Sequence, residues 1–452
     1  MRSSARSAVA CQTCMTGANR TRIRQPALAR RALGVVADVR PLRGVRFDAR
    51  RTGPIGSLIA PPYDVAAEPA NGANFSIRKI EGVDLGCGGD DHALAAARYQ
   101  TWLEQGALRR DALPTIYIHQ HQFNHSGTAV LRTGLLVRVR LTDWSEQMVL
   151  PHERTTPGPR EERLGRLRAV RANLSPLYFL YRDADNEIRQ LIADHAESGQ
   201  PLEDQDQVGG THRLSVVADT TVQGRLSAAF ARRTLFVADG HHRYEAALAY
   251  RDECRQRYGH GPDAPWEFVL ALLAAVEDPG VIVRPTHRVL TDGPNGSPRH
   301  VLQLLQRWFD VSGAHVAPPL PDARFICRVV LPDDHGVWDV CAKSGDPHHA
   351  LMPRARGTAW RSLGVAVVES LVESLFGVGD QTAADRRVLP AIDEAEAASQ
   401  VRAGRAPAAF LLPAPSLDRL LTVAEEGDLL PAKSTWFEPK APAGLVINDL
   451  RS

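Results

Sequence analysis

The stretch Leu235-Phe236-Val237-Ala238-Asp239-Gly240-His241-His242-Arg243-Tyr244-Glu245 decides how this chain is read. Its apolar start suits a short buried strand. Gly240 permits a sharp turn, and His241 to Tyr258 predicts a long helix. A helix start leaves backbone N–H groups unpaired and carries partial positive charge, so it attracts anions. Arg243 can grip a phosphate through two parallel hydrogen bonds, and His241 or His242 can add a donor or shuttle a proton. A plainer reading stands beside this one: Asp239 caps the helix, and Glu245 pairs with His241 across one turn. Two histidines and an arginine directly behind Asp-Gly are dense for capping alone, which favours the anion site.

Working outward, Ile116 to Phe123 and Thr133 to Leu141 alternate apolar and polar residues. Asn124-His125-Ser126-Gly127 between them predicts an antiparallel hairpin. Helical spacing is read at His92–Leu108, Glu161–Asn173, Asn186–His195, Thr220–Arg232, Val301–Phe309, Trp360–Phe376 and Leu417–Ala424. Strands are expected at 176–181, 212–218, 234–238, 267–276, 325–331 and 337–342. The mixture predicts an α+β protein with mixed sheets. The loop Thr291 to Pro298 is the expected boundary between a main domain, 36–290, and a C-terminal α/β region, 291–452. Met1 to Gly34 is rich in Arg and has no acid, as in a targeting peptide or a segment foreign to the fold. The second reading is favoured, with residues 1–35 as a disordered or non-native extension.

With 54 basic against 52 acidic side chains, the chain lacks the basic excess of a protein that wraps nucleic acid. No apolar run is long enough to cross a bilayer. The cysteines, at 11, 14, 87, 254, 327 and 341, form no disulfide framework, so a reducing, cytoplasmic setting is expected. Cys11 and Cys14 make one CxxC with no second pair to complete a zinc site.

Further polar clusters are Pro151-His152-Glu153-Arg154, Pro285-Thr286-His287-Arg288, Lys433-Ser434-Thr435, and Tyr63 and Asp64 in a Pro-Pro-Tyr-Asp turn. On a loop, His152 or Glu153 could serve as general base, and Glu153 as an Mg²⁺ ligand. Equally, 151–154 could be a solvated charged loop, and Asp64 a turn former. Lys433-Ser434-Thr435 resembles the end of a phosphate loop but lacks the glycine-rich part.

Ala60–Val65, Pro151–Glu153, Ala172–Pro176, Ala238–Glu245, Pro285–Arg288 and Lys433–Thr435, in this order, resemble a bacterial and archaeal family of unknown function, DUF1015. The resemblance runs from about Asp38 to Leu450. It departs at Arg160 and Glu162, where Lys and Asp are usual, and at Asn74-Phe75-Ser76, which puts a ligand role there in doubt. Asp239 to Ala246 is also similar to the helix start of the ParB and sulfiredoxin superfamily. That resemblance implies nucleotide phosphates bound at this turn: some members hydrolyse CTP and clamp DNA, one is a kinase acting on free serine, and sulfiredoxin uses ATP.

The leading expectation is therefore an enzyme that binds a small molecule or nucleotide (ATP, ADP or CTP, with Mg²⁺) and transfers or cleaves a phosphoryl group. Gly240, His241, His242, Arg243, Arg288 and Lys433 would hold phosphates. Glu153, Asp239, His242 and Glu245 would do the chemistry. Two alternatives are a ParB-like nucleotide-gated DNA clamp, with the arginines of 163–171 as its only candidate reading helix, and a metal hydrolase built on His152, His241, His242 and His287.

Overall fold

Phe268–Ala275 is apolar at every position and buried along its whole length. Such a strand must be covered on both faces, and it forms the middle of a nine-stranded sheet. It runs parallel to Leu177–Tyr181 on one side and antiparallel to Thr128–Arg140 on the other. Beyond Leu177–Tyr181 lie Leu235–Asp239 and then Val149–Leu150. Beyond Thr128–Arg140 lie Ile116–His125, Thr211–Val217 and Leu202–Gln205, while Val39–Arg40 pairs with Thr128–Arg140. The expected hairpin is present, turning at Ser126 and Gly127, both with positive φ.

The computed structural model describes residues 37–61, 74–81, 91–198, 201–291, 298–314, 324–332, 335–376 and 388–451. The N-terminal extension 1–35, Tyr63 and Asp64 lie outside these residues. Val36–Ser452 forms one unit.

Strand alternation sends successive side chains to opposite faces of the sheet. On one face Ile118, Leu135, Phe179, Val237 and Leu273 pack against Leu164, Leu226, Phe230, Tyr244 and Ala247. These come from the helices Pro157–Val170, Thr220–Phe230 and His241–Tyr258. On the other face Tyr117, Leu136, Tyr178, Phe236 and Leu272 join Ile77, Ile80, Tyr99, Val446 and Ile447 in a second core. That core continues into a six-stranded antiparallel sheet through Val329 and Phe410. The strands of this second sheet follow the order Phe309–Gly313, Val337–Ala342, Phe325–Val330, Ala408–Leu411, His287–Leu290 and Val388–Ala391.

Most expected elements are present, so the α+β class stands. The helix expected over 360–376 is broken, into Thr358–Arg361 and Gly364–Phe376. At Gly364 an added Cβ would lie 2.7 Å from the carbonyl oxygen of Ile326, so a side chain has no room there. After the second sheet the chain pairs with segments that precede that sheet: Trp436–Glu438 pairs with Ile282–Arg284, and Asn448–Asp449 with Ala172–Asn173. No helix among the described residues is long and apolar enough to cross a membrane.

Candidate functional site

The strand Leu235–Asp239 slips register against Leu177–Tyr181 between Val237 and Asp239. That irregularity precedes Gly240, which has φ +102° and is the N-cap of the helix His241–Tyr258. Positive φ is strained for any side chain but glycine's. A Cβ there would also lie 2.6 Å from Leu177 Cδ2. The turn therefore requires glycine on two counts. No side chain caps the helix, and its first turn has no acidic residue. Its leading N–H groups and positive dipole end are thus not answered by a local carboxylate.

Asp239 does not cap the helix. Its Oδ1 accepts from Lys440 Nζ at 2.6 Å and its Oδ2 from Arg243 Nη2 at 2.8 Å. Burial alone would favour its neutral form, but Lys440 and Arg243 hold the carboxyl well below the usual carboxylate range. Arg243 also donates from Nη1 to Ser175 Oγ (3.0 Å) and the Pro176 carbonyl (2.8 Å). The arginine expected to fork a phosphate is instead bolted across the turn, since its donors bond groups of the protein itself. A cavity lined by Arg163, Arg166, Asn173 and Ser175 opens beside it, with Arg243 forming one wall.

The distant motifs come together. His152 and His241 pack edge to face, 4.7 Å between ring centroids, and the His152 N–H points at His241 Nε2 at 3.4 Å. The Thr435 hydroxyl lies 2.8 Å from His152 Nε2 and donates to Glu153 Oε1 at 2.5 Å, and the Thr435 N–H donates to the same oxygen at 2.7 Å. His242 Nε2 accepts from the Thr156 N–H at 2.9 Å. Glu245 Oε2 accepts from the Thr155 hydroxyl at 2.7 Å, so Glu245 does not pair with His241. Burial pushes all three imidazoles toward their neutral form. His242, at about 4, also feels the charges of Lys433 and Arg163. Lys433 itself is exposed, with φ +59°.

His287 and Arg288 sit differently. His287 Nδ1 accepts from the Leu412 N–H at 3.0 Å, inside the second sheet. Arg288, 1% exposed, donates to Glu369 Oε1 at 2.6 Å and to the Lys433 carbonyl at 3.1 Å. It secures the backbone of the Lys433 turn from behind rather than reaching for a phosphate.

The metal-hydrolase set does not converge on a point. The Nε2 atoms of His241 and His242 face backbone N–H groups, His152 faces Thr435, and His287 belongs to the second sheet. Asp239 is also a poor Mg²⁺ ligand, because both its oxygens are held by cations. Glu153 and Glu245, engaged by neutral hydroxyls, fit that role better. In the helix Pro157–Val170, Arg166 and Arg168 are matched by Glu162 and Glu253, which leaves no open basic face for DNA at those positions.

Sequence reading missed Lys440, Thr435 as the partner of Glu153, and Arg132, which reaches the Pro439 carbonyl. A lysine after Pro439 carries no motif. Only its place across from Asp239 gives it meaning.

This α+β protein, with two large sheets and a helix-start turn ringed by histidines and lysines, is of a recognisable kind. The chain belongs to the family of proteins of unknown function DUF1015, whose profile matches residues 39–371. The match stops short of the Lys433–Lys440 segment, although the resemblance was expected to reach Leu450. No curated protein matches the chain. Solved structures similar to it include a conserved hypothetical protein from Pyrococcus furiosus, at TM-score 0.35 and 12% identity, covering 68% of this chain and 93% of that one. A free serine kinase in complex with AMP has TM-score 0.34 and 12% identity, covering 68% and 88%. SbnI with a C-terminal truncation, from Staphylococcus aureus, has TM-score 0.32 and 12% identity, covering 67% and 82%. Likeness at this level says nothing of what this chain binds. The ParB and sulfiredoxin resemblance, confined to Asp239–Ala246, gains no support from these comparisons.

Proposed function

We propose that this protein binds a nucleotide (ATP, ADP or CTP) at the start of the helix His241–Tyr258 and transfers or cleaves a phosphoryl group there. The observation that carries the reading is the uncapped helix start behind Gly240, with Lys433 near it and neutral imidazoles around it. The N–H groups of His241, His242 and Arg243 meet the phosphate oxygens, and Lys433 adds charge from the facing turn. Arg243 and Lys440 hold Asp239, and so the turn, in place.

Glu153, oriented by both donors of Thr435, accepts the proton of the attacking hydroxyl or water. Mg²⁺, if used, falls to Glu153 or Glu245 and would neutralise charge on the phosphates.

Calorimetric titration with ATP, ADP and CTP, with and without Mg²⁺, tests this on the wild type, Lys433→Ala and Glu153→Gln. The expected pattern is binding by wild type, weakening of about tenfold or more in Lys433→Ala, and retained binding with lost turnover in Glu153→Gln. Equal binding by folded Lys433→Ala would place the phosphates elsewhere.

A further inference from the structure

A second polar cluster lies at the far side of the nine-stranded sheet and shares no residue with the site above. The antiparallel pairing of Ile116–His125 with Thr211–Val217 sets His121 directly opposite His212. His119 is two residues before His121, so it shares that face. The loop that follows Leu202–Gln205 brings in Asp206. Its Oδ1 is tied down by the N–H groups of Gly210 (2.7 Å) and Val208 (3.0 Å). Its Oδ2 is then aimed at the two rings, 3.1 Å from His212 Nε2 and 3.7 Å from His121 Nε2.

Four features go beyond ordinary packing. His121 is 4% exposed, yet neither of its ring nitrogens has a hydrogen-bond partner. A buried polar group left so calls for an explanation, and an ion is one of the few available. Ligand atoms of His121, Asp206 and His212 all lie within 4.8 Å of one another, the one such convergence among the described residues. His212 Nδ1 lies 2.9 Å from His119 Nε2, the kind of outer contact that fixes the ring of a metal-bound histidine. Gly210 keeps the space open: a Cβ there would lie 2.6 Å from His121 Nε2 and 2.8 Å from Asp206 Oδ2.

We propose that His121 and His212, through Nε2, and Asp206, through Oδ2, bind one divalent transition-metal ion of the zinc class. Two imidazoles and one carboxylate are borderline donors suited to Zn²⁺, Co²⁺ or Fe²⁺ rather than Mg²⁺. Three protein ligands leave a further position for water or a small ligand. In the bound form His212 carries its proton on Nδ1 and donates it to His119 Nε2.

Co²⁺ titration followed by visible absorption, and Zn²⁺-dependent melting, test the site on the full chain. A Cys11→Ser/Cys14→Ser version removes the one CxxC as a competing ligand pair. The expected result is a single ion bound in both versions, with a rise in melting temperature. His121→Ala and Asp206→Asn should abolish the rise, and His119→Gln, which keeps all three ligands, should weaken binding about ten- to a hundredfold. Metal-free melting of each variant reports folding separately. The assignment is overturned if wild type binds no Co²⁺, or if Zn²⁺ raises the melting temperature of folded His121→Ala and Asp206→Asn as much as that of wild type.

Discussion

Lys440 Nζ lies 2.6 Å from Asp239 Oδ1, and the same ammonium sits 4.2 Å from the centre of the Trp436 ring. With Arg243 on the other carboxylate oxygen, Asp239 is neutralised from both sides. A carboxylate flanked by two cations at the end of a strand fixes where the next residue, Gly240, begins its turn.

Lys440→Met should therefore destabilise the protein without emptying the core. Loss of a charge-assisted hydrogen bond at a partly buried carboxylate costs about 1.5–3 kcal/mol, since Arg243 remains. Urea unfolding of the two proteins at neutral pH reads the difference. The folded pKa of Asp239 is depressed, so its stabilisation is complete above the ordinary carboxylate value of about 3.9 and fades as pH falls below it. The gap between wild type and Lys440→Met should narrow on acidification.

His242 runs in the neighbouring pH window. Its folded value, about 4, lies below the ordinary value of about 6.5, so the unfolded chain binds more protons between the two. Its contribution to stability is complete above about pH 6.5 and is lost as pH falls toward 4. His242→Asn should flatten that slope. Removing a cation in Lys433→Ala should raise the His242 value, measurable by NMR titration of the ring.

Gly240→Ala brings together a forbidden backbone region and a collision with Leu177. A strained positive-φ residue costs about 1–3 kcal/mol, and the contact adds to it. A drop in the thermal midpoint larger than that for Gly224→Ala, whose Cβ would meet nothing within 4 Å, is expected from calorimetry.

Arg243→Lys tests the bolt against the phosphate clamp. Lysine can keep the pair with Asp239 but cannot also reach Ser175 and the Pro176 carbonyl with a fixed fork. The expected outcome is lower stability, with nucleotide affinity per folded molecule changed by less than about tenfold. A larger loss of affinity at unchanged stability would return Arg243 to the phosphates.

Much of the fold was legible because the chain is locally consistent. Helix His241–Tyr258, the hairpin and the apolar strand 268–275 carry clear periodicity, and the turn at Gly240 announces itself through the residues around it. The roles within the site were less legible. Arg243 reads as a free donor until Ser175 and Pro176 are placed beside it, and Arg288 until Lys433 is. His119-Gln120-His121 passed as ordinary strand alternation because its partners, Asp206 and His212, lie some ninety positions away and meet it only through sheet register. Side-chain partnerships that depend on long-range pairing leave no local trace.

The return of Lys433–Lys440 to the strand Ile282–Arg284 and to the Asp239 turn also bears on the order of events in synthesis. Thr435 and Lys440 supply partners to Glu153 and Asp239, nearly three hundred and about two hundred positions earlier. A ribosome releasing this chain exposes the helix start long before the groups that set it. Any product truncated ahead of residue 433 would carry the early motifs while lacking their counterparts, so synthesis past Lys440 is itself a condition for a finished site.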